Sequence, residues 1–285
     1  MPGRDRAPAR VVCDVCPHVC ALREGQTGRC RARTARGGRV VPASFGRVTA
    51  VALDPIEKKP LARFRPGSTV LSLGGYGCNL RCPFCQNAGI AQAGEDAAAW
   101  RALAPAEAVA LALDCAPQGC IGLAYTYNEP LVAWEFVEDC AQRAHAAGLA
   151  NVLVSNGVAN AWVIEHLAPL IDAANIDLKG FNQAFYDQVG GSYEAVRATI
   201  ERLAAQEGCH LEVTTLVIPG LNDDARQVEA AARWLASLDA GITYHLTRFF
   251  PAHRMTDRAP TPLATLRRLW EAARRHLDDV VLGNV

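Results

Sequence analysis

From residue 69 onward, apolar residues recur with two alternating periods. Short β-branched runs are each followed by a longer stretch whose apolar positions fall three and four apart. The short runs predict strands over 70–73, 121–125, 151–154, 174–178, 211–217 and 242–247. The longer, Ala-rich stretches predict helices over 106–114, 131–147, 162–171, 193–205, 225–237 and 263–276. Pro105 suits the first turn of the first helix, where a missing N–H costs nothing. A short last strand is expected over 280–282. Strand alternating with helix six times implies an α/β fold with a parallel sheet. This rhythm fits a partial barrel and an open doubly wound sheet equally.

The opening of the chain follows a different pattern. Residues 1–66 are rich in Arg and Gly and poor in helix signals, and residues 39–53 suggest two short strands around Gly46. The expected organisation is an N-terminal cysteine-rich segment, 1–66, followed by one α/β domain, 67–285. Nine arginines face three acids in residues 1–40, which reads as a solvated basic surface. Over all 285 residues, however, Lys+Arg and Asp+Glu are both 29. That balance argues against a nucleic-acid binder. The charged, Pro-rich start argues against a signal peptide. No run of about 18 uncharged apolar residues is present to span a membrane. The expected location is the cytoplasm.

In a parallel barrel, chemistry gathers at the carboxyl ends of the strands. The tips here read Gly74-Gly75-Tyr76-Gly77-Cys78, Thr126-Tyr127-Asn128-Glu129-Pro130, Ser155-Asn156-Gly157, Asp177-Leu178-Lys179-Gly180, Pro219-Gly220-Leu221-Asn222-Asp223, and His245 to Pro251. Carboxylates, amides, a lysine and a histidine collect there, and a purely structural sheet has no use for that selection.

Eleven cysteines change the picture further. Four (Cys115, Cys120, Cys140, Cys209) are scattered among apolar residues and read as small buried hydrophobes. The other seven form two groups, which in an intracellular chain point to metal sites. Cys78-x3-Cys82-x2-Cys85 follows the first strand on a Gly-rich loop. A structural zinc takes four ligands, and a cubane iron–sulfur cluster usually takes four thiolates. With three, one metal position stays open for substrate; a zinc site completed from elsewhere is the alternative. Cys13-x2-Cys16-x3-Cys20-x9-Cys30, with His18, fits structural zinc on ligand count; a second iron–sulfur cluster and four free thiols are the alternatives.

The stretch Cys78-Asn79-Leu80-Arg81-Cys82-Pro83-Phe84-Cys85-Gln86-Asn87 resembles the cluster loop of the radical S-adenosylmethionine (SAM) superfamily. More narrowly, the chain resembles the branch of pyruvate formate-lyase activating enzyme, and most nearly the radical SAM component of the AmmeMemoRadiSam system. The narrower likeness rests on Cys16-Pro17-His18-x-Cys20, Asp54-Pro55-Ile56-Glu57-Lys58-Lys59-Pro60, Arg63-Phe64-x-Pro66-Gly67, Tyr125 to Pro130, Asn175 to Lys179 and Leu216 to Asp223. It covers nearly the whole chain, although members of that branch continue past the position of Val285 with further cysteine pairs.

The resemblance implies a partial (β/α)6 TIM-like barrel in which Cys78, Cys82 and Cys85 hold a [4Fe-4S] cluster and SAM chelates the fourth iron. One electron then cleaves SAM to methionine and a 5′-deoxyadenosyl radical, which abstracts hydrogen from a substrate. A flavodoxin- or ferredoxin-like donor supplies the electron. A protein substrate, as for a glycyl-radical activase, or a small molecule handled with system partners would complete the reaction. A metal-stabilised electron-transfer or binding protein is the alternative of another class.

Several residues are then expected at SAM. Glu129 stands where related activases carry a glutamate that accepts from the SAM ammonium. Asn128 replaces the superfamily's glycine, and Asn156 could hydrogen-bond ribose or carboxylate. Asp177 and Lys179, two apart on a strand, should face one cavity. Lys179 is one of only three lysines beside 26 arginines, which suggests a use for a point charge. His245 resembles a histidine near SAM. Glu212 and Thr214 share a strand face and are expected to line the cavity or to serve in hydrogen bonding.

Overall fold

The computed structural model describes residues 9–285; most of the start read as lacking a signal peptide lies outside the described residues. Eight strands make one sheet. β1 (Ala50–Pro55) runs antiparallel to β2 (Thr69–Gly74). Then β3 (Cys120–Tyr125), β4 (Ala150–Ser155), β5 (Ala173–Asp177), β6 (His210–Val217), β7 (Thr243–Arg248) and β8 (Val280–Gly283) follow in parallel. Their spatial order is their chain order. A doubly wound sheet reverses order at a switch point, so the architecture is a partial (β/α) barrel. Gly122 permits the closest step: a Cβ there would stand 1.9 Å from the Ala150 carbonyl oxygen on the neighbouring strand.

Helices α1 (Pro105–Asp114), α2 (Trp134–Ala146), α3 (Ala161–Leu167), α4 (Gln183–Val189), α5 (Tyr193–Ala204), α6 (Ala225–Leu238) and α7 (Leu263–Ala273) accompany the strands. Their buried residues recur at helical spacing, as in Val228, Ala231, Ala232 and Leu235 of α6, and join the strands in one large apolar core. The sequence pattern missed α4. It is short, and its boundaries come from capping: the Asn182 side chain accepts from Phe185 N at 2.9 Å, and Gly190 ends it at φ 72°. Among the described residues no helix is long and apolar enough to cross a membrane.

The N-terminal region forms small antiparallel pairs, Val11–Cys13 with Cys20–Leu22 and Arg33–Arg36 with Arg39–Pro42. β1, within the segment expected to stand apart, is an edge strand of the main sheet.

The stretch after β1 turns into the barrel and fills it. Ile56 and Leu61 are fully buried against Val70, Ala124, Val152 and Ala173. Two polar residues of the inner face then fix its backbone. Asn175 Nδ2 donates to the Pro60 carbonyl at 2.8 Å, and the Glu212 carboxylate accepts from Ala62 N at 2.9 Å and Arg63 N at 2.8 Å. Glu212 also meets His210 at 2.9 Å and His245 at 2.5 Å. Burial would raise the Glu212 pKa, but these four partners pull it down to about 2 from 4.5. A carboxylate depressed in the folded state stabilises fully above its unfolded value and loses that contribution as pH falls through the folded one. Wild-type stability should therefore drop between about pH 4.5 and 2, by on the order of 3 kcal/mol from this group. Glu212→Gln should flatten that part of the curve in urea titrations across the acid range. An unchanged acid limb in the variant would refute the assignment.

Candidate functional site

The carboxyl ends of β2 to β7 surround a cavity of about 580 Å³. Because side chains alternate along a strand, the inner-facing series decides its lining. Val154 and Asn156, Asp177 and Lys179, Thr214 and Leu216, and Thr247 all reach it.

The loop after β2 forms one wall, with Cys78, Cys82 and Cys85 lining it. Its backbone is fastened on several sides. Cys78 N donates to Cys30 O at 3.1 Å, Arg81 N to Val189 O at 2.8 Å, and Arg254 N to Pro83 O at 2.8 Å. Gly77 (φ 86°) is required there, since a Cβ would lie 2.4 Å from Cys30 O. Asn128 clamps the same loop: its Oδ1 accepts from Gly75 N at 2.9 Å and its Nδ2 donates to Gly77 O at 3.1 Å.

Burial pushes all three thiols above their ordinary pKa, Cys82 to about 11, while the Lys179 charge works against it. Thiolates there need a strongly positive partner. Donors already address sulfur: Leu80 N lies 3.3 Å and Asn156 Nδ2 3.5 Å from Cys78 Sγ. Among the described residues no three His, Cys, Asp or Glu side chains converge on a single-ion site. Three all-sulfur ligands spread along one wall suit a multi-iron cluster, whose thiolates sit on separate irons. The residues therefore fit a [4Fe-4S] cluster.

Glu129 adjoins this wall, its N–H donating to Gly77 O at 3.3 Å; its buried carboxylate accepts from Ser155 Oγ at 2.7 Å, Asn156 N at 2.8 Å and Leu131 N at 3.0 Å. Burial nevertheless lifts its pKa to about 7. A cation in the cavity would restore its charge. Asn156 is held by its Oδ1 accepting from Val158 N at 2.8 Å, while its Nδ2 reaches Asn79 Oδ1 at 3.0 Å. Asp177 and Lys179 pair at 2.9 Å. Burial would lower the lysine pKa, but the Asp177 charge and that of Cys82 keep it raised. Thr214 Oγ1 is buried and has no hydrogen-bond partner among the described residues.

Six of the SAM-facing and cluster residues expected from sequence thus meet at one wall or tip: Cys78, Cys82, Cys85, Asn128, Glu129 and Asn156, with Asp177 and Lys179 beside them. His245 lies a layer beneath, on Glu212, and Glu212 serves the barrel plug instead of the cavity. The sequence reasoning missed Lys58, Lys59 and Tyr127. Lys58 and Lys59 bind the two Asp54 oxygens at 2.9 and 2.7 Å, and Tyr127 sends its hydroxyl to Asp54 and its ring to within 4.6 Å of Lys59 Nζ. A signal was available: the chain has three lysines, and all three line this cavity.

The N-terminal cysteines pack behind the cluster loop. Cys13 and Cys20 stand opposite each other, and His18 Nε2 lies 2.9 Å from Asn79 O. They form no coordination sphere among the described residues, so the zinc expectation rests on their spacing alone.

A family model, the radical SAM superfamily, matches residues 73–235. An uncharacterized protein of Methanocaldococcus jannaschii is 37% identical over 279 residues, 97% of this chain and 82% of that one. The isethionate sulfite-lyase activating enzyme of Desulfovibrio desulfuricans is 28% identical over 136 residues, 47% of this chain and 42% of that one. A radical SAM methyltransferase from Sphaerobacter thermophilus shares the fold, with a TM-score of 0.57 at 18% identity over 77% of this chain and 67% of that one. The three-cysteine loop, the partial barrel behind it and these matches agree: the chain belongs to the radical SAM superfamily.

Proposed function

We propose that the protein is a radical SAM enzyme that generates a 5′-deoxyadenosyl radical in the strand-tip cavity and uses it to abstract hydrogen from a substrate. The observation that carries this reading is the single cavity shared by Cys78, Cys82 and Cys85 with Glu129, Asn156, Asp177 and Lys179. When bound, a [4Fe-4S] cluster supplies the electron that breaks the carbon–sulfur bond of SAM.

The chain's own residues then have defined tasks. Glu129, neutral or charged at little cost near pH 7, accepts from the SAM ammonium. Lys179 offers its ammonium to a carboxylate, and Asp177 accepts from ribose hydroxyls. Asn128 keeps the cluster loop in place. The plug of Ile56 and Leu61 closes the barrel below and keeps water from a reactive primary radical. Three cysteines reserved for a cluster in a chain of eleven suit a reducing compartment, and the cytoplasm is the location we propose.

The motifs at Asp54 to Pro60 and Leu216 to Asp223 support a place near the AmmeMemoRadiSam branch, with a flavodoxin- or ferredoxin-like electron donor. A second reading, activation of a partner protein, is supported by the likeness to the sulfite-lyase activating enzyme.

Anaerobically reconstituted and reduced protein should convert SAM to 5′-deoxyadenosine, counted by mass spectrometry. Asp177→Ala with Lys179→Ala should weaken SAM binding at least about tenfold, the loss expected from two charge-assisted contacts, and leave the iron content unchanged. Unaltered SAM affinity in that variant would remove the assigned contacts.

A further inference from the structure

The chain has three lysines beside 26 arginines. Lys179 has a task at SAM; Lys58 and Lys59 line the same cavity and have none so far. Both stand on one carboxylate. Lys58 Nζ lies 2.9 Å from Asp54 Oδ1, Lys59 Nζ lies 2.7 Å from Asp54 Oδ2, and the Tyr127 hydroxyl also donates to Asp54. The backbone there is fixed. Lys59 N donates to Ile56 O at 2.9 Å, Ile56 and Leu61 are buried in the barrel on either side, and Asn175 Nδ2 holds the Pro60 carbonyl at 2.8 Å.

A structural ion pair does not explain this choice of residues. One ammonium neutralises one carboxylate, yet Asp54 has two, besides a phenol. Away from this cavity, the ion pairs of the described residues that do not involve histidine are made by arginine, as in Arg33 with Glu135 and Arg63 with Asp279. A guanidinium keeps its proton, whereas an amine can lose one and then attack carbon. The two lysines differ in that respect. Lys58 keeps 66% of its side chain exposed and Lys59 only 2%. Burial lowers the Lys59 pKa, Asp54 opposes the shift and the Lys58 charge adds to it; the balance stays below the ordinary lysine value. A desolvated amine beside a second cation is the usual arrangement of a lysine that adds to carbonyl groups.

We propose that Lys59 is the nucleophile of a covalent substrate site: it condenses with the aldehyde or ketone group of a small carbonyl compound and holds it in the cavity as an iminium. The nitrogen lone pair forms the C–N bond and the C=O π pair moves to oxygen. That oxygen leaves as water with two of the three ammonium protons, and Lys58, on the other oxygen of Asp54, can relay them. Nothing is oxidised or reduced, and the positive charge stays on nitrogen. The iminium keeps one N–H for Asp54 Oδ2, so the buried carboxylate is paired before and after the step.

This names a substrate class for the site already proposed, and it rests on the radical SAM reading for its use. Glu129, two residues after Tyr127, faces the same cavity. A carbonyl compound fixed on Lys59 brings its carbon-bound hydrogens into the cavity assigned to the radical. Hydrogen loss from the carbon next to the iminium leaves a radical that the C=N bond delocalises.

The test is reductive trapping. The full chain, iron-free and reconstituted, is incubated with glyoxylate and sodium cyanoborohydride, which converts an iminium to a stable secondary amine. Tandem mass spectrometry of the digest then locates the adduct. The chain suits this readout, because only three lysines and the amino terminus can react. The Lys59 adduct should exceed the Lys58 adduct severalfold in the folded protein, against their order of exposure, and fall to parity in urea. Iron and SAM should not be required. Lys59→Arg keeps a cation for Asp54 and cannot form an imine; it should lose this adduct while its thermal melt shows a folded chain.

Labelling that follows exposure, with Lys58 ahead of Lys59, would overturn the proposal, and so would a folded wild type with no Lys59 adduct. Protein that forms 5′-deoxyadenosine from SAM without trapping at Lys59 would lose the carbonyl site and keep the radical reading. A Lys59 adduct in reconstituted protein that forms no 5′-deoxyadenosine would support the carbonyl site and remove the radical reading instead.

Discussion

Cys82→Ala should give a folded protein that holds no intact [4Fe-4S] cluster and forms no measurable 5′-deoxyadenosine. The loop does not depend on this sulfur for its shape. Arg81 N, Cys85 N and Arg254 N are bonded to Val189, Cys82 and Pro83 carbonyls, all main-chain contacts that an alanine keeps. The stability cost should be about 1 kcal/mol, the order for deleting one small buried group. The chemical cost is much larger, because among the described residues lining the cavity only Cys78 and Cys85 would remain as thiol ligands. Iron and sulfide analysis beside a thermal melt separates the two effects. A colourless variant that melts near the wild type is the expected pair of results; a brown, active variant would show that Cys82 is not a ligand.

Lys59→Met should be the most damaging single change away from the cysteines, at about 3–5 kcal/mol, the usual loss when one member of a buried ion pair is removed. Both side chains of the pair are buried, with 2% of Lys59 and 6% of Asp54 exposed. Burial lowers the Lys59 pKa even with Asp54 beside it. Burial also opposes the charged form of Asp54, yet Lys59, Tyr127 and Lys58 together hold that carboxyl well below its ordinary range. The two shifts point opposite ways energetically. The Asp54 shift is the better guide to the loss on removing the lysine, because the orphaned carboxylate is the group left buried. Asp54→Asn combined with Lys59→Met should recover part of the loss, since neither charge then remains. Urea unfolding of the two single variants and the double closes that cycle. Additive losses would mean that the pair does not act as a unit.

This pair also holds the tip of β3. Tyr127 sits at φ 71°, a left-handed conformation that is costly for a bulky residue. Its hydroxyl is tied to Asp54, and Asn87 Nδ2 donates to its carbonyl at 2.9 Å. The neighbouring Asn128 and Glu129 are therefore presented to the cavity from a fixed turn.

The strands and, α4 excepted, the helices of the barrel were legible because short β-branched runs alternate with stretches of period 3.6 between Thr69 and Gly283. The cluster loop was legible because three cysteines at fixed spacing leave few chemical alternatives. The inner-facing residues could be read from alternation along β5, which puts Asp177 and Lys179 at one cavity, but depth along a strand could not. Glu212 and Thr214 share a face, yet one grips the plug and the other reaches the cavity. His245 follows Glu212 for the same reason. The plug itself could not be read from pattern, because Ile56 and Leu61 are isolated apolar residues among charges and fill the barrel only through contacts far along the chain. Lys58 and Lys59 stand in a charged stretch of the sequence; only the fold brings both to Asp54 and buries Lys59.

The central claim is that three cysteines hold a cluster with one iron open to SAM, inside the cavity of the strand tips. Electron paramagnetic resonance of the reconstituted, reduced protein tests it most directly, recorded with and without saturating SAM. The account predicts a reduced [4Fe-4S] signal whose g-values shift when SAM is added, with the same shift in the Asp177→Ala, Lys179→Ala variant needing at least about tenfold more SAM. A cluster signal in the wild type that SAM leaves unmoved would contradict it.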